Sequence, residues 1–284
     1  MSLETLVEFS NRYGKKDGFV LAGGGNTSAK EGEYLFVKGS GTSLATITEK
    51  GFVRMDRAKL DAVWEKTYSA DTAEREAEVL ADLMAARADC DCKRPSVETL
   101  LHNLFPQKYV LHVHPAKVNG ITCSVNGKAT VGKLFPDAVW VDECEPGYIL
   151  ASNCRKNLAD AKTKNGKDAD VVFLQNHGIF FAADDENALD SLVDGVMAKI
   201  DAELKIQPDF TSVEQYDAET AAMIAPVLRL LYNENGTAYV NFCRVGRSIR
   251  NAQTAALARS HRLLQGRAAL HRRFLGRRYQ SRIY

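Results

Sequence analysis

Apolar and polar positions alternate between strand-like and helix-like patterns along most of the chain. Short apolar runs predict strands, and they lie at residues 33–38, 109–114, 138–141, 169–174 and 179–183. Segments with apolar residues three or four positions apart predict helices, and they lie at residues 3–12, 56–66, 71–87, 96–105, 115–123, 149–162, 185–205 and 217–232. Strands that alternate with helices favour the α/β fold class.

The pattern is not interrupted by an internal repeat or a low-complexity linker. The simplest division is therefore one domain over residues 1–240 and a C-terminal extension over residues 241–284. No apolar run is long enough to span a membrane, and the first residues lack the basic and apolar regions of a secretory signal. The six cysteines show no CxxC spacing, so we expect a reduced, cytoplasmic protein without a membrane partner.

Charge is distributed unevenly between the two parts of the chain. All 36 acidic residues precede Asn235, whereas the 37 basic residues divide into 26 before it and eleven arginines after it. A basic tail is typical of proteins that bind nucleic acid. We hypothesise instead that the residues after about position 257 are a frameshift product, and we expect no nucleic-acid partner. The gene's nucleotide sequence distinguishes these interpretations, because stop codons in the shifted frame would exclude the frameshift.

Two histidines lie two positions apart in the strand predicted at residues 109–114. Alternate residues of a strand point to the same face, so His112 and His114 could bind one metal ion together. A pair of hydrogen-bonded core histidines is the alternative. His177 lies where two apolar runs predict a hairpin, and its alternative is a turn residue with positive φ beside Gly178.

A carboxylate lies on the helix that precedes the histidine strand. Glu98 and His102 are four positions apart and so share one face of that helix. Three imidazoles and a carboxylate suit a divalent transition metal, with one coordination position left open for substrate. Two segments rich in glycine and hydroxyl groups, at residues 24–28 and 39–42, offer backbone N–H groups for an anion, and ordinary tight turns are the alternative. With the histidines, they favour a phosphate-bearing substrate.

Five motifs in this order resemble those of the class II aldolase/adducin family. They are Gly25-Asn26-Thr27-Ser28, Gly39-Ser40-Gly41-Thr42, Pro95-Ser96-Val97-Glu98 with His102, His112-Val113-His114-Pro115, and Asn176-His177-Gly178. The sequences of these motifs are most similar to those of aldolases that cleave rhamnulose 1-phosphate or fuculose 1-phosphate, including an aldolase domain fused to a dehydrogenase in bacterial proteins. The resemblance implies a three-layer α/β/α fold around a central, mostly antiparallel sheet, in a homotetramer with active sites at subunit interfaces.

The resemblance also implies a role for each residue of these motifs. His112, His114 and His177 would bind Zn²⁺ or another divalent transition metal. Glu98 would be the catalytic carboxylate that moves a proton, with its pKa raised towards the operating pH. The segments that bind the substrate's phosphate contain Asn26, Thr27, Ser40, Gly41, Thr42 and Ser96. The implied reaction cleaves a ketose 1-phosphate, a small phosphorylated sugar, to dihydroxyacetone phosphate and an aldehyde.

Two departures from the family's pattern leave alternatives open. Val97 stands where the fuculose-phosphate enzymes have a second serine, so one hydroxyl donor to the phosphate is missing. The family's additional acid is a tyrosine, for which Tyr109 and Tyr148 are the candidates near the motifs. An epimerase or a dehydratase acting on a sugar phosphate could use the same metal site. A non-catalytic, adducin-like interaction module needs no metal, and the intact histidines and Glu98 argue against it.

Overall fold

The computed structural model describes residues 3–20, 24–89 and 93–204, together with five positions between 219 and 226. The helices are α1 (Leu3–Lys15), α2 (Arg57–Ala62), α3 (Thr72–Ala85), α4 (Thr99–Leu104), α5 (Ala116–Thr122), α6 (Gly127–Leu134), α7 (Tyr148–Asn165) and α8 (Glu186–Glu203). The strands are β1 (Asn26–Glu31), β2 (Tyr34–Lys38), β3 (Phe52–Asp56), β4 (Tyr109–Val113), β5 (Val139–Val141), β6 (Val171–Leu174) and β7 (Gly178–Ala183). Within this described part, none of the helices has the length and apolar character needed to cross a bilayer.

The seven strands of the described part form one sheet in the order β3-β2-β1-β4-β7-β6-β5. Neighbouring strands are antiparallel except β5 and β6, which are parallel and joined through α7. The predicted central, mostly antiparallel sheet is therefore confirmed. In the middle of the sheet β4 pairs with β1 on one side and with β7 on the other, which places the histidine strand beside two motif-bearing strands.

Helices cover both faces of the sheet, because alternate residues of each strand point to opposite sides. One core contains buried residues of α2, α3, α4 and α7, such as Leu60 and Leu150. The other contains buried residues of α1, α5, α6 and α8, such as Phe9 and Val193. This three-layer α/β/α arrangement confirms the predicted fold class. Three helices begin at an aspartate whose side chain accepts a backbone N–H of the first turn, namely Asp56, Asp71 and Asp185.

The described part of the chain contains every predicted strand. It also contains elements that the pattern did not predict, namely β1, β3, α6 and two 3-10 turns at Leu44–Thr46 and Glu49–Gly51. The prediction of a turn over residues 24–28 was wrong for the last three of them, because β1 begins at Asn26. The helix predicted at 56–66 becomes a 3-10 turn at Val63–Glu65. The helix predicted at 217–232 lies largely outside the described residues, and the extension over 241–284 lies wholly outside them.

Candidate functional site

Three histidines from two separate segments meet at one end of the sheet. His112 lies in β4, His114 directly follows β4, and His177 lies in the turn between β6 and β7. The Nε2 atom of His112 is 2.8 Å from Nε2 of His114 and 3.3 Å from Nε2 of His177. One ring nitrogen from each histidine lies within 4.8 Å of the other two, a grouping that could hold a metal ion.

The ring of His112 is fixed in an orientation that suits metal binding. Its Nδ1 lies 3.0 Å from the carbonyl oxygen of Ile179, which can only accept, so Nδ1 carries the hydrogen. The lone pair of Nε2 is then directed to the other two histidines. The ring also stacks on Phe180, with 4.2 Å between centroids and 19° between planes.

Two glycines permit this close packing. A Cβ atom on Gly178 would lie 2.5 Å from Cδ2 of His114 and 2.6 Å from the carbonyl oxygen of Val113, so a larger residue would displace His114. Gly25 has a φ of 75° and brings the start of β1 against the backbone of His112. In the hairpin turn, Asn176 has the positive φ, 56°, so the alternative interpretation of His177 as the positive-φ residue is wrong.

Glu98 joins the histidine cluster from the residue that precedes α4. Its Oε1 lies 3.3 Å from Nε2 of His112 and 3.1 Å from Nε2 of His177. Burial alone raises the pKa of Glu98, but positive charge on the two histidines and their hydrogen bonds outweigh burial and hold it well below the usual value. Neutral histidines bound to a metal would not supply this positive charge, so the raised pKa of Glu98 stays a prediction.

Asn26 and Ser96 hold Glu98 from the side opposite to the histidines. Nδ2 of Asn26 donates to Oε2 of Glu98 over 2.6 Å and lies 3.3 Å from Oγ of Ser96. Oγ of Ser96 also accepts the backbone N–H of Glu98. Thr27 is not brought to the histidines, because its hydroxyl lies 2.6 Å from that of Ser10 in α1, on the other face of the sheet.

The segment at residues 39–42 lies beside the segment that leads to Glu98. The backbone N–H of Ser40 donates to the carbonyl of Arg94, and Gly39 forms a β-bridge with Pro95. Ser40 and Gly41 are exposed, Gly41 has a φ of 78°, and the hydroxyl of Thr42 caps the turn by donating to the carbonyl of Gly39. The turn therefore presents exposed backbone next to the site, as an anion-binding segment requires.

Lys38 is a residue of the site that the sequence analysis missed. It ends β2, directly before the turn at 39–42, and it is only 5% exposed. Among the described residues its ammonium group makes no hydrogen bond or ion pair. Burial lowers the pKa of Lys38, and the negative charge of Glu98 partly offsets this effect. The sequence signal for a buried lysine was its position at the end of an otherwise apolar strand.

The two candidate tyrosines are packed elsewhere in their own chain. Tyr109 is 4% exposed, and its ring lies 6.3 Å from that of Phe9. Tyr148 begins α7 and packs against Trp64 and Tyr68, with ring centroids 5.8 Å and 4.9 Å away. Neither is brought to the histidine cluster within the described part of one chain.

A cavity of about 200 Å³ opens beside His177. Its lining includes Glu143 and Cys144, which follow β5, and Asn176 of the hairpin turn. Nδ2 of Asn176 donates to Oε2 of Glu143 over 2.7 Å, which ties the turn to the opposite wall. Of the histidine cluster, His177 alone is among the residues that line this cavity in the described part of the chain.

Comparison with known proteins identifies relatives of this arrangement. Residues 4–192 match the class II aldolase and adducin N-terminal domain. The fold is similar to that of the N-terminal class II aldolase domain of a conserved Thermoplasma acidophilum protein, with a TM-score of 0.61, 24% identity, and coverage of 71% of this chain and 93% of that one. It is also similar to YgbL from Klebsiella pneumoniae, described as a putative aldolase/epimerase/decarboxylase, with a TM-score of 0.50, 13% identity, and coverage of 70% and 86%.

A curated relative in Bacillus subtilis strain 168, the uncharacterized oxidoreductase YuxG, is 34% identical over 187 residues. The match includes 62% of this chain but only 26% of that relative, so the chain spans about a quarter of its length. The family match, in contrast, extends over both the histidine cluster and Glu98. On this basis the chain belongs to the class II aldolase and adducin family.

Proposed function

We propose that the chain is a zinc-dependent aldolase that cleaves a ketose 1-phosphate, resembling rhamnulose or fuculose 1-phosphate, to dihydroxyacetone phosphate and an aldehyde. One observation carries the proposal: Oε1 of Glu98 lies within 3.3 Å of Nε2 of both His112 and His177. Three separate segments bring these groups together in a buried position. A carboxylate and imidazoles placed in this way suit metal-assisted proton transfer.

The histidines supply a donor set that fits a divalent transition metal. His112, His114 and His177 would be its three protein ligands, and the Ile179 carbonyl supports the required tautomer of His112. When bound, the ion supplies a Lewis acid for the negative charge that develops on substrate oxygen as the carbon–carbon bond breaks.

Glu98 is the group in the site best suited to move a proton. Asn26 occupies its Oε2, so Oε1 is the oxygen that faces the histidines and an approaching substrate. In the direction of cleavage the substrate hydroxyl that becomes the aldehyde loses its proton to solvent as the carbon–carbon bond breaks, and Glu98 passes a proton taken up from solvent to the carbon atom that has lost its bond partner. In the reverse direction Glu98 removes the proton from that carbon. The hydrogen bond from Asn26 to Oε2 keeps Oε1 in one place during this transfer.

The turn at 39–42 and Lys38 support a phosphorylated substrate. The exposed hydroxyl of Ser40 and the exposed backbone N–H of Gly41 offer donors, and the adjacent Lys38 offers a positive charge. A phosphate group carries nearly two negative charges at neutral pH, so a buried lysine is a suitable partner. Val97 is 51% exposed and supplies no hydroxyl, which leaves more of the phosphate's recognition to Lys38.

The alternatives differ in reaction but share the site. An epimerase or a dehydratase would use the same histidines and carboxylate, while an adducin-like interaction module would need neither. The oxidoreductase name belongs to a relative of which this chain spans only about a quarter, so it does not extend to this chain's reaction.

We also propose that the protein is a cytoplasmic homotetramer. Light scattering of the purified protein tests its oligomeric state.

Two measurements test the proposal. Metal analysis of the wild type should give one divalent ion per chain, and His114→Ala should lose most of it. The wild type should release dihydroxyacetone phosphate from at least one ketose 1-phosphate, whereas Glu98→Gln should release it at only a small residual rate. A wild type without stoichiometric metal would exclude all the enzymatic alternatives. Metal binding without any release of dihydroxyacetone phosphate would favour the epimerase or the dehydratase.

A further inference from the structure

A further buried histidine, outside the cluster of three, lies next to the site and is not used by the proposed reaction. His102 is 0% exposed, in the middle of α4. Its Nδ1 lies 2.8 Å from Oγ of Ser28 in β1. Its Nε2 is buried as well and makes no hydrogen bond within the described residues.

The bond between Ser28 and His102 runs alongside the bond between Asn26 and Glu98. Asn26 and Ser28 are alternate residues of β1 and point to the same face of the sheet. Glu98 directly precedes α4, and its carbonyl accepts the backbone N–H of His102, one turn later. Two side-chain hydrogen bonds therefore connect β1 to this segment, one at the residue before α4 and one within α4. The first of them holds Glu98 next to the histidine cluster.

His102 also reaches the cluster through an aromatic ring. Its ring lies 5.4 Å from that of Phe180 in an edge-to-face arrangement, at 71° between planes. Phe180 in turn stacks on His112. A change in the position of His102 would thus reach both Glu98, through α4, and His112, through Phe180.

Stability alone does not account for a histidine at this position. Burial lowers the pKa of His102 to about 3, helped by the charge of His112, so the ring is neutral at physiological pH. A buried polar nitrogen without a partner costs on the order of 1–3 kcal/mol. A leucine would fill a similar volume without that cost. Such a cost is retained where the group's placement serves function.

We propose that His102, through its hydrogen bond with Ser28, is a positioning residue that holds Glu98 against the histidine cluster. The bond fixes the rotation of α4 about its axis, and this rotation sets where Oε1 of Glu98 lies. His102 itself touches neither the substrate nor a bound ion. The inference deepens the proposed function, and its kinetic consequence rests on that function.

Three single variants separate the hydrogen bond from the packing of the ring. His102→Leu removes the bond and keeps the volume. His102→Asn keeps a polar atom near the place of Nδ1, so it can still pair with Ser28. Ser28→Ala removes the partner and leaves the histidine. We expect the leucine and alanine variants to lower kcat by ~10- to 100-fold, with KM changed less than ~3-fold, because a displacement of about 1 Å has an effect of this size. His102→Asn should recover most of the loss.

A fourth variant tests whether the effect passes through Glu98. In a Glu98→Gln background, His102→Leu should cause no further loss of kcat, because the group it positions is already inactive. Equal losses in both backgrounds would overturn the proposal. So would a His102→Leu variant that unfolds at a lower temperature but keeps the kcat of the wild type.

A structural measurement, which does not depend on activity, tests the positioning role of His102 separately from the proposed aldolase function. Crystal structures of wild type and His102→Leu should differ in the distance from Oε1 of Glu98 to Nε2 of His177, with an increase of about 1 Å in the variant. An unchanged distance would overturn the positioning role whatever the enzyme does. If the wild type cleaves no sugar phosphate but the distance increases, the proposed function fails and the positioning role stands.

Discussion

Asn26 donates its side-chain amide to Oε2 of Glu98 over 2.6 Å, across 72 positions of sequence. The family resemblance places Asn26 in a phosphate-binding segment, yet in the structure its amide binds the carboxylate. This bond leaves Oε1 as the oxygen that faces His112 and His177. The identity of residue 26 should therefore affect the rate of proton transfer more than the binding of the sugar.

We expect Asn26→Ala to lower kcat by ~10- to 100-fold and to reduce the free energy of unfolding by ~1–3 kcal/mol, because a buried carboxylate oxygen loses its donor. Steady-state kinetics and urea denaturation measure the two effects. Thr27→Val is the matched control, because it removes a buried hydrogen bond from the adjacent residue on the other face of the sheet. It should reduce stability and leave kcat unchanged; an equal loss of kcat in both variants would contradict the role of Asn26.

Lys38→Met should weaken substrate binding without destabilising the protein. Burial lowers the pKa of Lys38, so the folded protein is more stable without this charge. We expect KM for the phosphorylated sugar to rise ~10- to 100-fold, the size of a lost charge-assisted bond, while the free energy of unfolding stays equal or rises. Lys30→Met is the control, because Lys30 is buried in the neighbouring strand and bonds to the carbonyl of Gln107. A change in KM for Lys30→Met as large as that for Lys38→Met would refute the assignment.

Gly178→Ala should disturb the histidine cluster through a single methyl group. The added Cβ would lie 2.5 Å from Cδ2 of His114, closer than packed carbon atoms can approach. We expect a loss of ~1–3 kcal/mol in stability and a reduced metal content per chain. Gly132→Ala, in α6 with no atom within 4 Å of the added Cβ, should instead stabilise the protein by ~0.4–1 kcal/mol. Normal metal content in Gly178→Ala would show that the cluster tolerates the shift.

Lys30 should make stability depend on pH in the alkaline range. Burial lowers the pKa of Lys30 from 10.5 to about 7, and the nearby charge of Arg57 adds to this effect. Between pH 7 and 10 the unfolded chain therefore binds more protons at this residue than the folded chain does. Stability should rise with pH there, by up to ~1.4 kcal/mol per pH unit for one proton. Urea denaturation at pH 7.5 and 9.5 should give a smaller difference for Lys30→Met than for the wild type; identical differences would contradict the lowered pKa.

The elements that carry the histidines were predictable because they follow the hydrophobic pattern. The strand with His112 is buried at every residue, and the hairpin around His177 joins two apolar runs. The helix predicted from residue 96 begins only at Thr99, so His102 lies in it and Glu98 directly precedes it. Local periodicity was sufficient in each case, since these segments are apolar on the sides that pack against the core.

The strand β1 could not be predicted, because its sequence, Asn-Thr-Ser-Ala-Lys-Glu, is polar and yet five of its six residues are buried. Each buried polar side chain pairs with a residue distant in sequence: Asn26 with Glu98, Thr27 with Ser10, Ser28 with His102 and Lys30 with Gln107. Among the polar atoms of these four β1 side chains, only Oδ1 of Asn26 has no partner within the described residues. Burial of this kind depends on tertiary partners, which a hydrophobicity pattern does not reveal. The burial of Lys38 was missed as well, because a charged residue at the end of an apolar strand is usually exposed.

The buried polar pairs of β1 also limit how such a chain can change over generations. Loss of either Glu98 or Asn26 alone removes the 2.6 Å hydrogen bond that the other makes in the protein interior, a penalty that selection for folding would oppose even where catalysis no longer matters. A descendant that abandons catalysis would therefore need to replace both members of a pair with apolar residues. The sequence of such a descendant should differ from this one at both positions of a pair, and not at one position alone.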